Sequence, residues 1–295
     1  MDDLIGKAQV LTEALPYIRS FAGSYFVIKY GGQAMVNEDL KRSVAQDIVL
    51  LKYIGINPVV VHGGGKEVTN VSSRMGIETV FAGGLRVTDE EAMEVVEMVL
   101  AGKINQQLVG LINSQGGKAV GLSGKDGHLF VSRKKSPIKV WEGGQEKTVD
   151  LGLVGEIEQL NPQVVLDLSA RGYIPVISSL GVDAQGRNLN MNADHVAGEL
   201  AGALQAEKLL LLTDVEGIFE KKDGKESLIS VLSGKKAREL IKKEIIKGGM
   251  IPKVESCLQA LAKGVKKTHI IDGRIKHCML LEIFTDKGIG TMVVS

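Results

Sequence analysis

A lysine that closes an apolar run and is followed at once by glycines is a place where anion chemistry can occur. Lys29 ends the run Tyr-Phe-Val-Ile and is followed by Tyr30, Gly31 and Gly32; a second run, Val59 to Val61, leads into His62, Gly63, Gly64 and Gly65. Glycine lacks a Cβ, so backbone N–H groups can turn toward an anion, and a helix starting just after adds roughly half a positive charge. The guest such a turn suits is a phosphate. Tight packing also selects glycine, so one copy is ambiguous, but two copies in neighbouring strand–helix units favour the anion. Solvation alone would not place the Lys29 ammonium among apolar residues, so it requires an anionic partner.

A second constellation lies in the C-terminal half. Asn190-Met191-Asn192-Ala193-Asp194 opens a helical pattern, and Thr213-Asp214-Val215-Glu216-Gly217 follows an apolar strand. Taken alone, Asn192 reads equally well as a helix cap and Asp194 as a first-turn partner of the helix dipole. Lys247-Gly248-Gly249-Met250-Ile251-Pro252-Lys253 places glycines before a helix start, and by position Lys253 would be an exposed helix lysine. Neither common nucleotide signature is present: Gly65-Lys66 continues to Glu67, which breaks a P-loop, and no Gly-x-Gly-x-x-Gly follows a strand.

Elements must hold these residues. Buried-strand runs at 25–30, 58–61, 118–122, 173–178, 208–213 and 268–271 alternate with helical stretches such as 90–112 and 192–204, the pattern of a parallel sheet sandwiched by helices. The stretch 130–158, with Pro137, Gly143 and Gly144, breaks the rhythm and reads as hairpins on the rim. A lobe boundary is expected near 181–186. Before the first strand, Leu4, Ala8, Leu11, Leu15 and Ile18 step by three and four, an amphipathic helix that Pro16 should kink. That helix either lies on its own domain or is presented to another subunit.

Composition narrows the partners. The 295 residues carry a formal net charge of +1, with 44% apolar and 24% charged residues, so no global field favours nucleic acid or a membrane surface. Two cysteines in no Cys-x-x-Cys pairing fit a reducing, cytoplasmic setting. The first residues lack a basic segment before an apolar run, and no stretch holds 18 to 20 uninterrupted apolar residues, so neither export nor a membrane span is expected.

Lys29-Tyr30-Gly31-Gly32, His62 to Gly65, Gly84-Leu85-Arg86-Val87-Thr88, Asn190 to Asp194, Thr213 to Gly217 and Gly248 to Lys253 together resemble the amino-acid kinase family, in its N-acetylglutamate kinase branch. The lysine and glycine turns belong to the wider family, while Gly-Leu-Arg-Val-Thr with Asn-x-Asn-Ala-Asp points to that branch. The resemblance implies an α/β fold, a three-layer αβα sandwich with a largely parallel central sheet plus a kinked N-terminal helix. It further implies an oligomerisation helix at 1–23, an acetylglutamate-binding and dimerisation lobe at 24–181, and an ATP-binding lobe at 182–295, in one continuous catalytic domain. The reaction implied is transfer of the ATP γ-phosphoryl to the side-chain carboxylate of N-acetyl-L-glutamate.

By this resemblance, Lys29 neutralises the travelling group beside the acceptor, Lys253 does so from the nucleotide side, and Asp194 holds both lysines. Gly32 and Gly64 donate backbone N–H bonds. Arg86 and Asn190 take the α-carboxylate, with Gly64 and Gly65 cradling the acceptor and Asn192 nearby; an arginine fork suits a carboxylate. Gly31, Asp214, Gly217, Gly249 and Met250 fall to the nucleotide. Mg²⁺ is expected to ride on the ATP phosphates and water, with few or no protein ligands. A carboxylate acceptor is already ionised at neutral pH, so no general base is needed and His62 reads as structural.

The C-terminal stretch His269 to Gly273, Leu281 to Phe284 and Gly288 to Thr291 is similar to the arginine-inhibited members of the branch. It implies an arginine site at Tyr17, His269, Glu282 and Gly288, and a dimer or a hexameric trimer of dimers. The rival readings are a kinase for glutamate, aspartate or carbamate, and a non-catalytic amino-acid sensor; the sensor should have lost Lys29, Asp194 or Lys253, and all three are present.

Overall fold

The computed structural model describes residues 2–35, 37–142, 145–222, 225–285 and 288–295; the expected turn glycines Gly143 and Gly144 and the side chains of Leu4 and Ala8 lie outside the described residues. Eight strands form the main sheet: β1 (Tyr25–Tyr30), β2 (Asn57–His62), β3 (Ala119–Leu122), β4 (Ile174–Ser178), β5 (Lys208–Thr213), β6 (Val231–Ser233), β7 (Lys267–Asp272) and β8 (Thr291–Val294). Their order is β6-β8-β7-β5-β1-β2-β4-β3, and every neighbouring pair is parallel except β7 with β8.

Helices cover both faces: α1 (Asp2–Phe21), α2 (Glu38–Tyr53), α3 (Gly65–Arg74), α4 (Glu90–Glu97), α5 (Asn105–Ser114), α6 (Gln163–Ala170), α7 (Ala193–Ala203), α8 (Gly234–Lys242), α9 (Met250–Ala262) and α10 (Cys278–Ile283). The period of two in a strand decides what each residue meets. Phe26, Ile28, Tyr30 and Val60 pack with Ile48 of α2, Leu108 and Ile112 of α5 and Met279 of α10. Val27, Val59, Val61, Leu209 and Leu211 pack with Val196 of α7 and Val254 and Cys257 of α9. Each such side chain withdrawn from water contributes about 1.5–3 kcal/mol, so the sheet is a stiff floor for whatever projects from its edge. Lys29, one residue from Ile28, therefore faces α7 and α9.

β1 lies between β2 and β5, where the strand order reverses direction. Open α/β sheets bind ligands at such a switch point, beyond the carboxyl ends of the strands. Lys29, His62 and Thr213 all stand at those ends.

Three expectations are refined. Helix α1 runs unbroken from Asp2 to Phe21 with Pro16 inside it. The stretch expected as one helix over 90–112 extends to Ser114, but its middle, Met98–Ile104, is wound as a wider π-helical turn. Its length and composition alone would suit a membrane span, yet Val95, Val96, Val99, Leu100, Ile104 and Ile112 are buried in the core. The expected rim hairpins are there: Ile138–Glu142 pairs with Gln145–Val149, and Phe130–Lys134 with Gly155–Leu160. The main sheet is continuous across both proposed lobes, and 181–186 falls in the strand Leu180–Val182 and the turn after it.

Candidate active site

Two helices meet where β1 and β5 end. Gly198 of α7 lies against Ser256 of α9 so closely that a Cβ there would stand 2.5 Å from the serine hydroxyl, so only glycine permits this crossing. The Ser256 hydroxyl donates to the carbonyl of Asp194, pinning the first turn of α7 to α9. Asn192 caps the same turn, its side chain accepting from the N–H groups of Asp194 at 2.9 Å and His195 at 3.1 Å.

The crossing delivers the Asp194 carboxylate between two ammonium groups. Lys29 Nζ is 3.1 Å from Oδ1 and Lys253 Nζ is 2.8 Å from Oδ2. The Lys253 contact is a hydrogen bond; the Lys29 contact is an ion pair without hydrogen-bond alignment, which leaves Oδ1 without a hydrogen bond. Burial is the largest influence on both partners and acts in opposite senses. It would raise the Asp194 carboxyl, but the two lysines outweigh it and hold the group at about 2. It lowers Lys29, because one carboxylate, opposed by Lys253, does not offset the lost hydration. Two ammonium groups and one carboxylate sum to +1, a charge left for an arriving anion.

The glycine turns stand beside this triad. Gly32 has φ of +71°, and a Cβ there would lie 2.0 Å from Asp214 Oδ1. A Cβ on Gly64 would lie 2.2 Å from Ile104 Cδ1, and α3 begins at Gly65. The Gly63 N–H reaches the carbonyl of Tyr30 at 3.4 Å, tying one turn to the other.

Arg86 is nearly buried, with its guanidinium 4.9 Å above the Phe81 ring. Its Nη2 donates to Thr69 Oγ1 at 2.7 Å and to the Gly65 carbonyl at 2.9 Å, and Nη1 donates to Thr79 Oγ1 at 3.2 Å. Asn190 Nδ2 donates to Thr88 Oγ1 at 3.2 Å. Lys29, Gly31, Gly32, Gly64, Gly65, Arg86, Asn190, Asn192 and Asp194 line one cleft of about 1410 Å³. Single-ligand pockets run to roughly 300–1,000 Å³, so the cleft has room for two reactants.

The model of the amino acid kinase family matches residues 24–272. Acetylglutamate kinase of Pelotomaculum thermopropionicum is 57% identical over 287 residues, 97% of either chain, and that of Moorella thermoacetica is 56% identical over 288 residues, covering 98% of this chain and 97% of the other. The chain belongs to the acetylglutamate kinases of the amino acid kinase family. Among solved structures, N-acetylglutamate synthase of Neisseria gonorrhoeae, complexed with coenzyme A and N-acetylglutamate, superposes with a TM-score of 0.81 at 27% identity; it matches 98% of this chain, which spans 63% of that protein.

In this kinase the remaining expected residues lie apart from the cleft lining. Asp214 follows β5, its carboxylate 3.3 Å from the Lys66 ammonium of α3. Gly217 is packed against Thr291, Gly249 caps α9 and Met250 is its first residue. The four residues assigned to arginine lie along α1, β7, α10 and the segment after it. Tyr17 meets Phe284 edge-to-face at 6.3 Å, and His269 Nδ1 is 2.6 Å from Glu282 Oε1. Glu282 Oε2 accepts from the N–H groups of Ile289 at 2.6 Å and Gly290 at 3.2 Å, and Gly288 has φ of +59°.

Several participants carry no motif. Thr69, Thr79 and Phe81 surround Arg86, and Ser256 fastens Asp194; only the three-residue step from Lys253 to Ser256, placing both on one face of α9, hints at the latter. Lys208, at the buried start of β5, lies 3.3 Å from His269 Nε2 and 5.3 Å above the Phe21 ring, and burial lowers it to about 8.

Proposed function

We propose that the chain phosphorylates the side-chain carboxylate of N-acetyl-L-glutamate from ATP, giving N-acetyl-L-glutamyl 5-phosphate, a step of arginine biosynthesis. The observation that carries the reading is the Lys29–Asp194–Lys253 triad beside two glycine turns, with Lys29 and Asp194 lining the cleft and Lys253 bonded to Asp194. Both reactants are anions, and the transferring phosphoryl spreads charge over its equatorial oxygens, so catalysis consists of alignment and fixed positive potential. Lys29 meets that charge from the acceptor side and Lys253 from the nucleotide side. Asp194 keeps its charge between them and acts as organiser, not base. Gly32 and Gly64 offer N–H groups to the transferring oxygens.

Arg86 supplies the fork for the acceptor's α-carboxylate, with Asn190 and Asn192 alongside, and Gly65 cradles the acceptor. Gly31, Asp214, Gly217, Gly249 and Met250 form the nucleotide side. Mg²⁺ bound to the ATP phosphates would supply additional charge neutralisation, and because this ion keeps much of its hydration its donors would be chiefly phosphate and water. Residues 24–181 form the acceptor lobe and 182–295 the nucleotide lobe.

Arginine inhibition at Tyr17, His269, Glu282 and Gly288, and assembly through residues 1–23, complete the proposal. They are supported by the buried His269–Glu282 pair and by the exposed Val10, Leu11 and Leu15 of α1. A cytosolic setting is supported by two buried free thiols, Cys257 and Cys278. Arg86→Lys tests the acceptor assignment. A point charge cannot copy a bidentate fork, so the KM for N-acetylglutamate should rise by about tenfold or more while kcat changes less. An unchanged KM would move the acceptor elsewhere.

A further inference from the structure

A buried chain of hydrogen bonds runs out of the core to the second glycine turn. Asn105 Nδ2 is 2.9 Å from the carbonyl of Val176 in β4 and 3.1 Å from His62 Nε2, and His62 Nδ1 is 3.0 Å from the carbonyl of Gly63. His62 and Asn105 are 0% and 2% exposed. The pleat selects the partner: His62 shares the β2 face of Val60, which packs with α2 and α5, and Asn105 is the first residue of α5.

Each atom in the chain has one role. A carbonyl oxygen only accepts, so the Asn105 atom facing Val176 is the amide nitrogen. That nitrogen only donates, so His62 Nε2 accepts from it. A neutral imidazole with an accepting Nε2 carries its proton on Nδ1, and Nδ1–H donates to Gly63. Burial pushes His62 down to about 4, so the ring is neutral near pH 7.

We infer that His62 is a positioning residue for phosphoryl transfer: by holding the Gly63 carbonyl toward the core, it aims the N–H of the same peptide, on Gly64, into the cleft. The C=O and N–H of a trans peptide point in opposite directions, so fixing one fixes the other. Leu100 and Ile104 close the space beside Gly64 so tightly that a Cβ would lie 2.7 and 2.2 Å from them. The same π-helical turn thus brings these two residues against Gly64 and Asn105 against His62. Widened turns of this kind recur at functional sites.

The inference rests on the phosphoryl-transfer reading above, and its test separates the two. His62→Asn retains a donor at the Nδ1 position; His62→Gln retains a polar group only at the Nε2 position. Turnover is measured on N-acetylglutamate and ATP, with the unsubstituted chain as control. His62→Gln should lower kcat by about tenfold or more, short of the roughly 10²–10³ seen when a preorganised donor is deleted, with both KM values little changed; His62→Asn should stay near the control. Nitrogen-15 spectra of the histidine-labelled chain should show the His62 proton on Nδ1. Equal kcat in the two variants, or a proton on Nε2, overturns the inference. An inactive control with the proton on Nδ1 would remove the functional reading and leave the assigned peptide orientation standing.

Discussion

Asp194 is the most constrained side chain of the site, since burial opposes its charge and only Lys29 and Lys253 sustain it. Removing Lys29 as Lys29→Ala takes away one preorganised cation and should lower kcat by about 10² or more in chain that is still folded at the assay temperature; near-normal turnover would refute its role. The carboxylate also sets a pH dependence. Its folded value of about 2 lies below the ordinary carboxylate value, so its contribution to stability is full above about pH 4 and is lost as pH falls through about 2. The size is about 2 kcal/mol, part of which the burial of Lys29 offsets. Urea unfolding of the parent chain and Asp194→Asn should give a gap that is constant from pH 7 to 5 and narrows toward pH 3; a gap that widens there would contradict the assignment. Lys29 could be singled out in the sequence because a cation at the end of an apolar run has no bland explanation. Asp194 alone could not, because a helix cap and a first-turn acid use the same letters. Asn105 left no trace, since nothing local marks an amide whose partners lie 43 and 71 positions away.

The strands were the most legible elements. Runs such as Val59-Val60-Val61 are buried on both faces, so their signal does not depend on knowing the partner. The π-helical turn at Met98–Ile104 was not legible, because its residues continue the helical pattern and one wider turn leaves the hydrophobic stripe almost intact. Yet it decides the floor of the second glycine turn. Gly64→Ala should therefore cost about 1–3 kcal/mol from overpacking against Leu100 and Ile104 and should depress kcat as well. Adding Ile104→Ala should return part of the stability lost to Gly64→Ala, as thermal unfolding of the single and double variants would reveal. No recovery would mean that the glycine is required for another reason.

For the whole molecule, one continuous and largely parallel sheet places its ligand edge at the β1–β5 switch point, and the cleft opens there between residues from both halves of the chain. That arrangement was readable from alternating strands and helices, whereas the strand order was not, because order is set by long-range packing of the helices. The proposed assembly has its own consequence at this scale. Leu11 and Leu15 are 74% and 51% exposed on α1, and replacing both with glutamate should lower the mass found by sedimentation while leaving kcat near that of the parent. An unchanged mass would remove α1 from the interface. The central claim is tested most directly by trapping the acyl phosphate as a hydroxamate, in the presence of ATP, with N-acetylglutamate, glutamate and aspartate offered in turn. The expected result is product from N-acetylglutamate, little from the other two, and a loss of about 10² or more in Lys29→Ala. Equal or greater product from glutamate or aspartate, or none from the acetylated acid, would contradict it.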